Sequence, residues 1–266
     1  MALLEGSAFV TGAASGIGEA TAFALAEHGI TKLAISDVNE AALEKTAAAI
    51  REKYPQIEVL SLKVNVASID EVKAALAEIV AKFGRLDVAI NNAGIRGVTS
   101  QLHEMSETSW TEVLDINLNG VFRCQKEELS VMVEQEDLGY RRGRGTIINV
   151  SSVYGLVGPW SAIHHTHYAT AKHAVLGMTK ADALSYSGTN IRINAICPGY
   201  VETPLIGPSD AFSTPGHPMY DHVLHTPLRR LGKAEEIADS IVFLASPLSS
   251  YVNGAALVVD GGFTSG

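Results

Sequence analysis

Cysteine and long apolar runs are both scarce in this 266-residue sequence. The only cysteines are Cys124 and Cys197, too few for a disulfide framework, which predicts a reducing compartment. No apolar run approaches the roughly 18 residues that a membrane-spanning helix requires. The first residues do not resemble a signal peptide, because Ser7-Ala8-Phe9-Val10 already has the pattern of a strand. We therefore expect a soluble, cytoplasmic protein with no membrane partner.

Positive charge is also scarce. The chain has 20 Lys and Arg against 29 Asp and Glu, a formal net charge of −9. A nucleic-acid surface needs a basic stripe, and the one basic cluster, Arg141, Arg142 and Arg144, is short and lies among glycines. We interpret that cluster as a solvated loop and predict no nucleic-acid partner.

Histidines occur in two groups, but neither has the spacing of a metal site. The side chains of His164, His165 and His167 are too close in sequence to converge readily, and no carboxylate is spaced to join them. We therefore predict no bound metal. The second group is interpreted as loop residues: His217, His222 and His225.

Strand and helix patterns alternate along the whole chain. Hydrophobic residues make up 47% of the sequence, enough for one large core, and we expect a single domain over residues 1–266. The alternation predicts one doubly wound, Rossmann-like parallel α/β sheet of about seven strands with helices on both faces. The predicted strands are 8–11, 32–36, 57–63, 86–90, 145–150, 190–197 and 256–260. The first main helix ends at residue 29, and the others cover 40–52, 69–83, 107–134, 169–184 and 233–244.

A glycine-rich turn, Gly12-Ala13-Ala14-Ser15-Gly16-Ile17-Gly18, follows the first strand and opens a helix. Such a unit can place a phosphate on the helix N-terminus, where free N–H groups and the helix dipole favour negative charge. The spacing is G-x-x-x-G-x-G, and the turn lacks the Gly-Lys-Ser/Thr ending of a nucleotide-triphosphatase loop. The alternative is that these glycines form only a tight turn.

Asp37 ends the second strand about 20 residues after the glycines, where a dinucleotide fold has the acidic residue that binds ribose hydroxyls. Its carboxylate would repel a 2′-phosphate, and no Arg or Lys lies beside it or in the glycine turn. This favours NAD over NADP. Asp37 also precedes the helix over 40–52, so it is alternatively, or additionally, the N-cap of that helix.

Asparagines mark two further positions. Asn91-Asn92-Ala93-Gly94 ends the fourth strand, where the amides can satisfy backbone groups and the small residues let a flat ring approach. Asn117 lies on an otherwise apolar face of the helix over 107–134, so its amide needs partners. It is either a satisfied core residue or the holder of a water or a backbone kink.

Tyr168 and Lys172 are four residues apart on a predicted helix, so they share one face. A fixed ammonium favours the phenolate, and lowering a phenol pKa by about three units needs about 4 kcal/mol, within reach of a lysine and a cationic cofactor together. Tyr168 is thus a candidate general acid or base. Ser152 is delivered by the buried strand 145–150 to the same edge of the sheet. The alternative is an ordinary i,i+4 polar pair.

Together these motifs resemble the short-chain dehydrogenase/reductase family over nearly the whole chain. The resemblance implies that Tyr168 exchanges a proton with the substrate oxygen while hydride passes to or from nicotinamide. It implies that Ser152, in preference to Ser151, polarises that oxygen, that Lys172 lowers the tyrosine pKa and binds ribose, and that Asn117 anchors a relay water. The cofactor-binding residues that it implies are Gly12, Ser15, Gly16, Ile17, Gly18, Asp37, Asn65, Val66, Asn92, Ala93, Gly94, Tyr168, Lys172, Pro198, Gly199, Val201 and Thr203.

The chain departs from the family pattern in two places. Asn65 stands where the family usually has an aspartate near adenine, and we expect only a modest change in affinity. The interval from Ser152 to Tyr168 is about three residues longer than usual and contains Trp160 and the 164–167 histidines. Trp160 and Tyr154 could form an aromatic wall for a substrate, or Trp160 could simply pack the loop.

The segment over 204–227 is rich in Pro, His, Ser and Gly, so we predict a long irregular stretch and interpret it as a substrate lid. Its apolar residues favour a hydrophobic secondary alcohol or ketone over a sugar. The predicted substrate-lining residues are Tyr154, Trp160, Tyr200 and Leu205, and the further apolar residues of the lid are Ile206, Phe212, Met219 and Tyr220.

The sequence as a whole predicts an NAD-dependent alcohol dehydrogenase or ketoreductase. The alternatives are an NADP-dependent ketoreductase of the same family and a catalytically silent dinucleotide-binding protein. By resemblance we expect a homodimer or homotetramer, assembled through the helices that contain Asn117 and Tyr168, with the apolar segment over 255–259 in a second interface.

Overall fold

The computed structural model describes residues 3–159, 163–207, 214 and 218–265. Seven parallel strands form one sheet in the order β3-β2-β1-β4-β5-β6-β7. The predicted Rossmann-like fold is thus confirmed, including the strand count. The strands are β1 (Ser7–Thr11), β2 (Lys32–Asp37), β3 (Glu58–Lys63), β4 (Val88–Asn91), β5 (Gly145–Val150), β6 (Ile191–Pro198) and β7 (Ala256–Val259).

Helices cover both faces of the sheet. Along β1, Ala8 and Val10 pack into one core cluster and Phe9 into the other, as the two-residue repeat of a strand requires. Helices α1, α2 and α8 contribute to the first cluster, and α3 and α5 to the second. The helices are α1 (Gly16–Glu27), α2 (Glu40–Lys53), α3 (Ile69–Phe83), α4 (Glu107–Leu114), α5 (Val121–Met132), α6 (Thr166–Ser185), α7 (Pro218–His225) and α8 (Ala234–Ala245).

Capping residues set the limits of α3. The Ser68 side chain accepts a hydrogen bond from the Glu71 backbone N–H (3.3 Å), and Gly84 ends the helix with a positive φ of 83°. The Glu71 carboxylate accepts from the backbone N–H of Asn65 (2.8 Å). In a capping box it would instead accept from the backbone N–H of Ser68. It therefore ties the helix to the segment that follows β3.

Two predicted elements need correction. The long helix predicted over 107–134 is divided, because the π-helical segment Asp115–Gly120 separates α4 from α5. The segment over 204–227 is not wholly irregular, since it contains α7, which begins with a proline at the position where its missing N–H is tolerated. Residues 208–213 and 215–217 of that segment lie outside the described residues.

Within the described part of the chain, no helix combines the length and the apolar character needed to cross a bilayer. Cys124 and Cys197 are both buried and unpaired.

Candidate active site

Two adjoining cavities lie at the carboxyl edge of the sheet. The larger, about 410 Å³, follows the ends of β1 to β4, and the smaller, about 230 Å³, follows the ends of β5 and β6. Open α/β sheets bind their ligands at this edge. The cavities are halves of one cleft because they share five residues of their walls: Ile17, Asn92, Gly94, Thr203 and Leu205.

The glycine turn forms the floor of the larger cavity, and its shape depends on missing side chains. Gly12 has φ +67°, and a Cβ added there would lie 2.8 Å from the Ala93 Cα. A Cβ on Gly18 would lie 2.1 Å from the Gly12 carbonyl oxygen. Ser15, the N-cap of α1, makes no capping hydrogen bond with its side chain. The turn therefore leaves a helix N-terminus open to a close anionic ligand, which fits the pyrophosphate of a dinucleotide.

Asp37 holds the glycine turn in place. Its carboxylate accepts hydrogen bonds from the backbone N–H groups of Ala14 (3.1 Å) and Asn39 (2.9 Å). The prediction that Asp37 is the N-cap of α2 is wrong, because the N-cap is Asn39, whose side chain accepts from Ala42 N–H (3.2 Å). Asp37 lines the larger cavity, and neither Arg nor Lys is among the described residues that line it.

Asn65 and Val66 line the larger cavity beyond β3. The Asn65 side-chain oxygen accepts from the Ala67 backbone N–H (3.0 Å). An amide oxygen has two lone pairs, so one remains for a ligand such as the amine of an adenine.

Asn92 joins the ends of β1 and β4. Its side-chain amide donates to the carbonyls of Thr11 and Gly12 (3.0 Å each), and its backbone N–H donates to the Thr11 hydroxyl (3.0 Å). Ala93 N–H donates to the same hydroxyl (3.1 Å). Thr11 therefore fixes the turn after β4 against the glycine turn, a role that the sequence did not indicate.

Asn117 is fully buried in the π-helical segment. Its side-chain oxygen accepts from Ile95 N–H (2.8 Å), and its side-chain nitrogen donates to the Ile95 carbonyl (2.7 Å). Both halves of the amide are satisfied, and the residue also lies at a break in the α-helical pattern. Asn117 thus clamps the chain that leaves β4, but it is not among the residues lining either cavity.

Ser152, Tyr168 and Lys172 line the smaller cavity. The Lys172 ammonium lies 5.5 Å from the centre of the Tyr168 ring and donates to the Val150 carbonyl (2.7 Å). The Ser152 hydroxyl accepts from the Tyr154 backbone N–H (3.1 Å) in the short helical turn after it. Ser151, its competitor, donates its hydroxyl to the Lys172 carbonyl (2.9 Å) and is thereby engaged in holding α6.

The protein's own groups shift the pKa of Tyr168 upward. Burial raises the pKa of its phenol to about 12, and the polar Ser152 side chain opposes that shift. Burial lowers the pKa of Lys172 to about 8. The predicted lowering of the phenol pKa by Lys172 and a cationic cofactor together stays a prediction, and it has to overcome this effect of burial.

Two tyrosines form an aromatic wall of the smaller cavity. The hydroxyls of Tyr154 and Tyr200 are 2.5 Å apart, and their rings meet edge to face at 6.3 Å. Tyr200 also packs edge to face on Phe263, with the ring centres 5.6 Å apart. The predicted lining residue Trp160 lies outside the described residues, so the predicted pairing of Trp160 with Tyr154 stays a prediction.

Most of the predicted site residues lie in the cleft. All the predicted cofactor residues except Gly18 line one cavity or the other, as do Tyr154, Tyr200 and Leu205. In the segment over 204–227, Phe212 and His217 lie outside the described residues, as do the side chains of Met219 and His222. Among the residues that are described, no three His, Cys, Asp or Glu side chains group as metal ligands. Six residues of the smaller cavity were not predicted as lining residues: Arg96, Thr99, Val150, Val153, Ile163 and His165.

The family model described as "Enoyl-(Acyl carrier protein) reductase" matches residues 12–264. The chain is 40% identical to a cis-4-hydroxycyclohexanecarboxylate dehydrogenase of Sinomonas cyclohexanicum, over 99% of this chain and 98% of the relative. The chain belongs to the short-chain dehydrogenase/reductase family. Members of this family use nicotinamide cofactors, and the chain is accordingly an oxidoreductase of the short-chain type.

Two further relatives of the same family are informative. The chain is 38% identical to a cyclohexanol dehydrogenase of Acinetobacter sp. (strain SE19), over 97% of this chain and 94% of that protein. The crystal structure of a levodione reductase superposes with a TM-score of 0.86 at 35% identity, covering 97% of this chain and 96% of the other. These short-chain dehydrogenases and reductases are named for alcohols and ketones on small rings.

Proposed function

We propose that this protein transfers hydride between NAD(H) and a small cyclic secondary alcohol or its ketone, with Tyr168 as general acid and base. The observation that carries the proposal is the position of Tyr168, Ser152 and Lys172 on one wall of a cavity that opens into the glycine-turn cavity. Similarity to relatives named for cyclohexanol and hydroxycyclohexanecarboxylate supports the substrate class.

The proposed proton transfer uses Tyr168 and Ser152. The Ser152 hydroxyl holds and polarises the substrate oxygen, and the Tyr168 phenol donates a proton to it during reduction or accepts one during oxidation. Ser152 is preferred to Ser151, whose hydroxyl already bonds to the Lys172 carbonyl. A phenol with a pKa near 12 is protonated at neutral pH, so these groups alone favour proton donation to a ketone.

Bound nicotinamide supplies the hydride chemistry and, when oxidised, a positive charge near the phenol. Lys172 adds its ammonium, which lies 5.5 Å from the centre of the tyrosine ring and is held in position by the Val150 carbonyl. In this proposal Lys172 also binds the nicotinamide ribose, and Asn117, which clamps Ile95, holds the water of the proton relay.

NAD is the proposed cofactor because a carboxylate, that of Asp37, lies on the wall of the larger cavity. Its carboxylate suits the two ribose hydroxyls of NAD, and the absence of Arg and Lys among the described lining residues disfavours the 2′-phosphate of NADP. The predicted cofactor residues would hold the dinucleotide along both halves of the cleft.

The proposed function includes a lid and an assembly. The segment over 204–227 would close over the substrate of a single domain spanning 1–266. A homodimer or homotetramer would form through α4 to α6, where Phe122 and Leu184 are 51% and 78% exposed.

The direct test is turnover of small ring alcohols with NAD or NADP, followed by NADH or NADPH absorbance. We expect oxidation of cyclohexanol-type alcohols with NAD and a much lower rate with NADP. A panel of ring alcohols and ketones that gives no turnover with either cofactor would refute the proposal.

A further inference from the structure

The smaller cavity has an imbalance of charge. Arg96 and Lys172 are basic, and neither Asp nor Glu is among the described residues that line this cavity. Lys172 is buried and donates to the Val150 carbonyl, so its ammonium belongs to the inner wall. Arg96 is exposed. The cavity therefore presents a cation on the side where it meets solvent.

The backbone that carries Arg96 is held on both sides. Ile95 is clamped at its N–H and its carbonyl by Asn117. Gly97 has φ +73°, and a Cβ there would lie 2.7 Å from Nε2 of the buried His167. A site on a chain held in this way loses little conformational freedom when a ligand binds.

The Arg96 guanidinium has spare hydrogen-bonding capacity. It donates one long hydrogen bond to the Ile206 carbonyl (3.4 Å), and none of the ion pairs among the described residues includes it. A guanidinium has five N–H donors in a planar fork that matches a carboxylate. Within the part of the chain that the structure describes, most of these donors have no partner and can bind a ligand.

Two neutral polar side chains, those of Thr99 and His165, also line this cavity. The Thr99 hydroxyl is 3.3 Å from Nε2 of His165, and His165 is only 8% exposed. Nδ1 of His165 is a buried atom without a hydrogen-bond partner in the described chain. Burial, and then the charge of Arg96, lower the pKa of His165 to about 4, so its ring is neutral and can donate or accept without adding charge.

We propose that Arg96, with Thr99 and His165 beside it, forms a subsite for a substrate carboxylate. This rests on the proposed function, in which the substrate hydroxyl meets Tyr168. The substrate class is then a hydroxy acid in which a small ring separates the alcohol from the carboxylate. One exposed guanidinium matches the single charge of a carboxylate, whereas the two charges of a phosphate would favour a second cation.

Binding of a non-reacting pair of ligands tests the subsite. Cyclohexanecarboxylate and the uncharged cyclohexanecarboxamide are titrated by calorimetry into protein saturated with NADH. Arg96→Met should weaken binding of the acid about 10- to 100-fold more than binding of the amide, since a hydrogen bond to a charged group is lost. Arg96→Lys should restore part of the difference. The matched control is Arg141→Met, which removes the same charge from a residue outside the cavity and should bind the acid like the wild type.

Unchanged acid binding in Arg96→Met would overturn the subsite, and so would an equal loss for acid and amide. A kinetic comparison separates this outcome from failure of the proposed function. The ratio of kcat/KM for 4-hydroxycyclohexanecarboxylate to that for 4-methylcyclohexanol should fall about 10- to 100-fold in Arg96→Met. If the wild type oxidises neither alcohol, the proposed function fails, and the binding titration still decides whether Arg96 holds a carboxylate.

Discussion

The larger cavity is built mainly from backbone and from side chains that bind backbone, whereas the smaller cavity is built from side chains of separate segments. In the larger one, Asn92 and Asp37 hold the glycine turn through its carbonyl and N–H groups. In the smaller one, residues following β4, β5 and β6 meet α6. A cavity built from backbone suits a ligand that does not vary. A cavity built from side chains can change with the substrate while the sheet stays the same.

The largest expected effect concerns the chemistry of the smaller cavity. Tyr168→Phe removes the hydroxyl that exchanges the proton, so kcat should fall about 10²- to 10⁴-fold. NADH binding, measured by fluorescence, should be nearly unchanged, because the glycine-turn half is untouched. The exposed Tyr140 offers a matched control as Tyr140→Phe. Retained turnover in Tyr168→Phe would remove Tyr168 from the proposed role.

The next effect concerns the larger cavity. Asp37→Asn keeps an acceptor for the Ala14 N–H but removes the charge, and adding Val38→Arg supplies a partner for a 2′-phosphate. The ratio of kcat/KM for NAD to that for NADP should fall about 10- to 100-fold in the double variant. Val38→Arg alone is the control for the added charge. An unchanged ratio would mean that a group other than Asp37 distinguishes the ribose of NAD from that of NADP.

A smaller effect, on the free energy of unfolding, is expected for a buried polar network at the end of β4. Asn91 donates to the Glu128 carboxyl (3.0 Å) and to Asn149 (3.1 Å). Burial raises the pKa of Glu128 from 4.5 to about 8, while the Asn91 hydrogen bond opposes the shift. The folded protein therefore holds a proton that the unfolded chain releases, and stability should fall as pH rises from 4.5 to about 8.

Glu128→Gln should reduce that fall in unfolding free energy by up to about 1.4 kcal/mol per pH unit. Urea unfolding at several pH values measures it, with the exposed Glu134→Gln as the control. An identical pH slope in the wild type and Glu128→Gln would mean that Glu128 is already ionised in the folded protein.

The two halves also differ in how far they could be predicted. The strands, the glycine turn and Asp37 were predictable because each depends on a short stretch of chain at a strand end. Arg96, Thr99 and His165 were not predicted to line the cavity, since their meeting depends on how the chain after β4 packs against the start of α6, where Ser100 N–H donates to the His164 carbonyl (3.1 Å).

Two other differences between the prediction and the structure arise from tertiary contacts. The π-helical segment around Asn117 is set by its hydrogen bonds to Ile95, and the periodicity of apolar residues in the sequence does not reveal those bonds. The upward shift in the pKa of Tyr168 results from burial, which the four-residue spacing between Tyr168 and Lys172 in the sequence does not reveal.

A crystal structure with NAD and a ring alcohol tests the central claim most directly, namely that the two cavities form one cleft and that Tyr168 acts in its smaller half. The account predicts the nicotinamide ring beside the shared residues Ile17, Asn92 and Gly94, with the Tyr168 and Ser152 hydroxyls both bonded to the substrate oxygen. A nicotinamide bound elsewhere, or a Tyr168 hydroxyl directed away from the substrate oxygen, would contradict it.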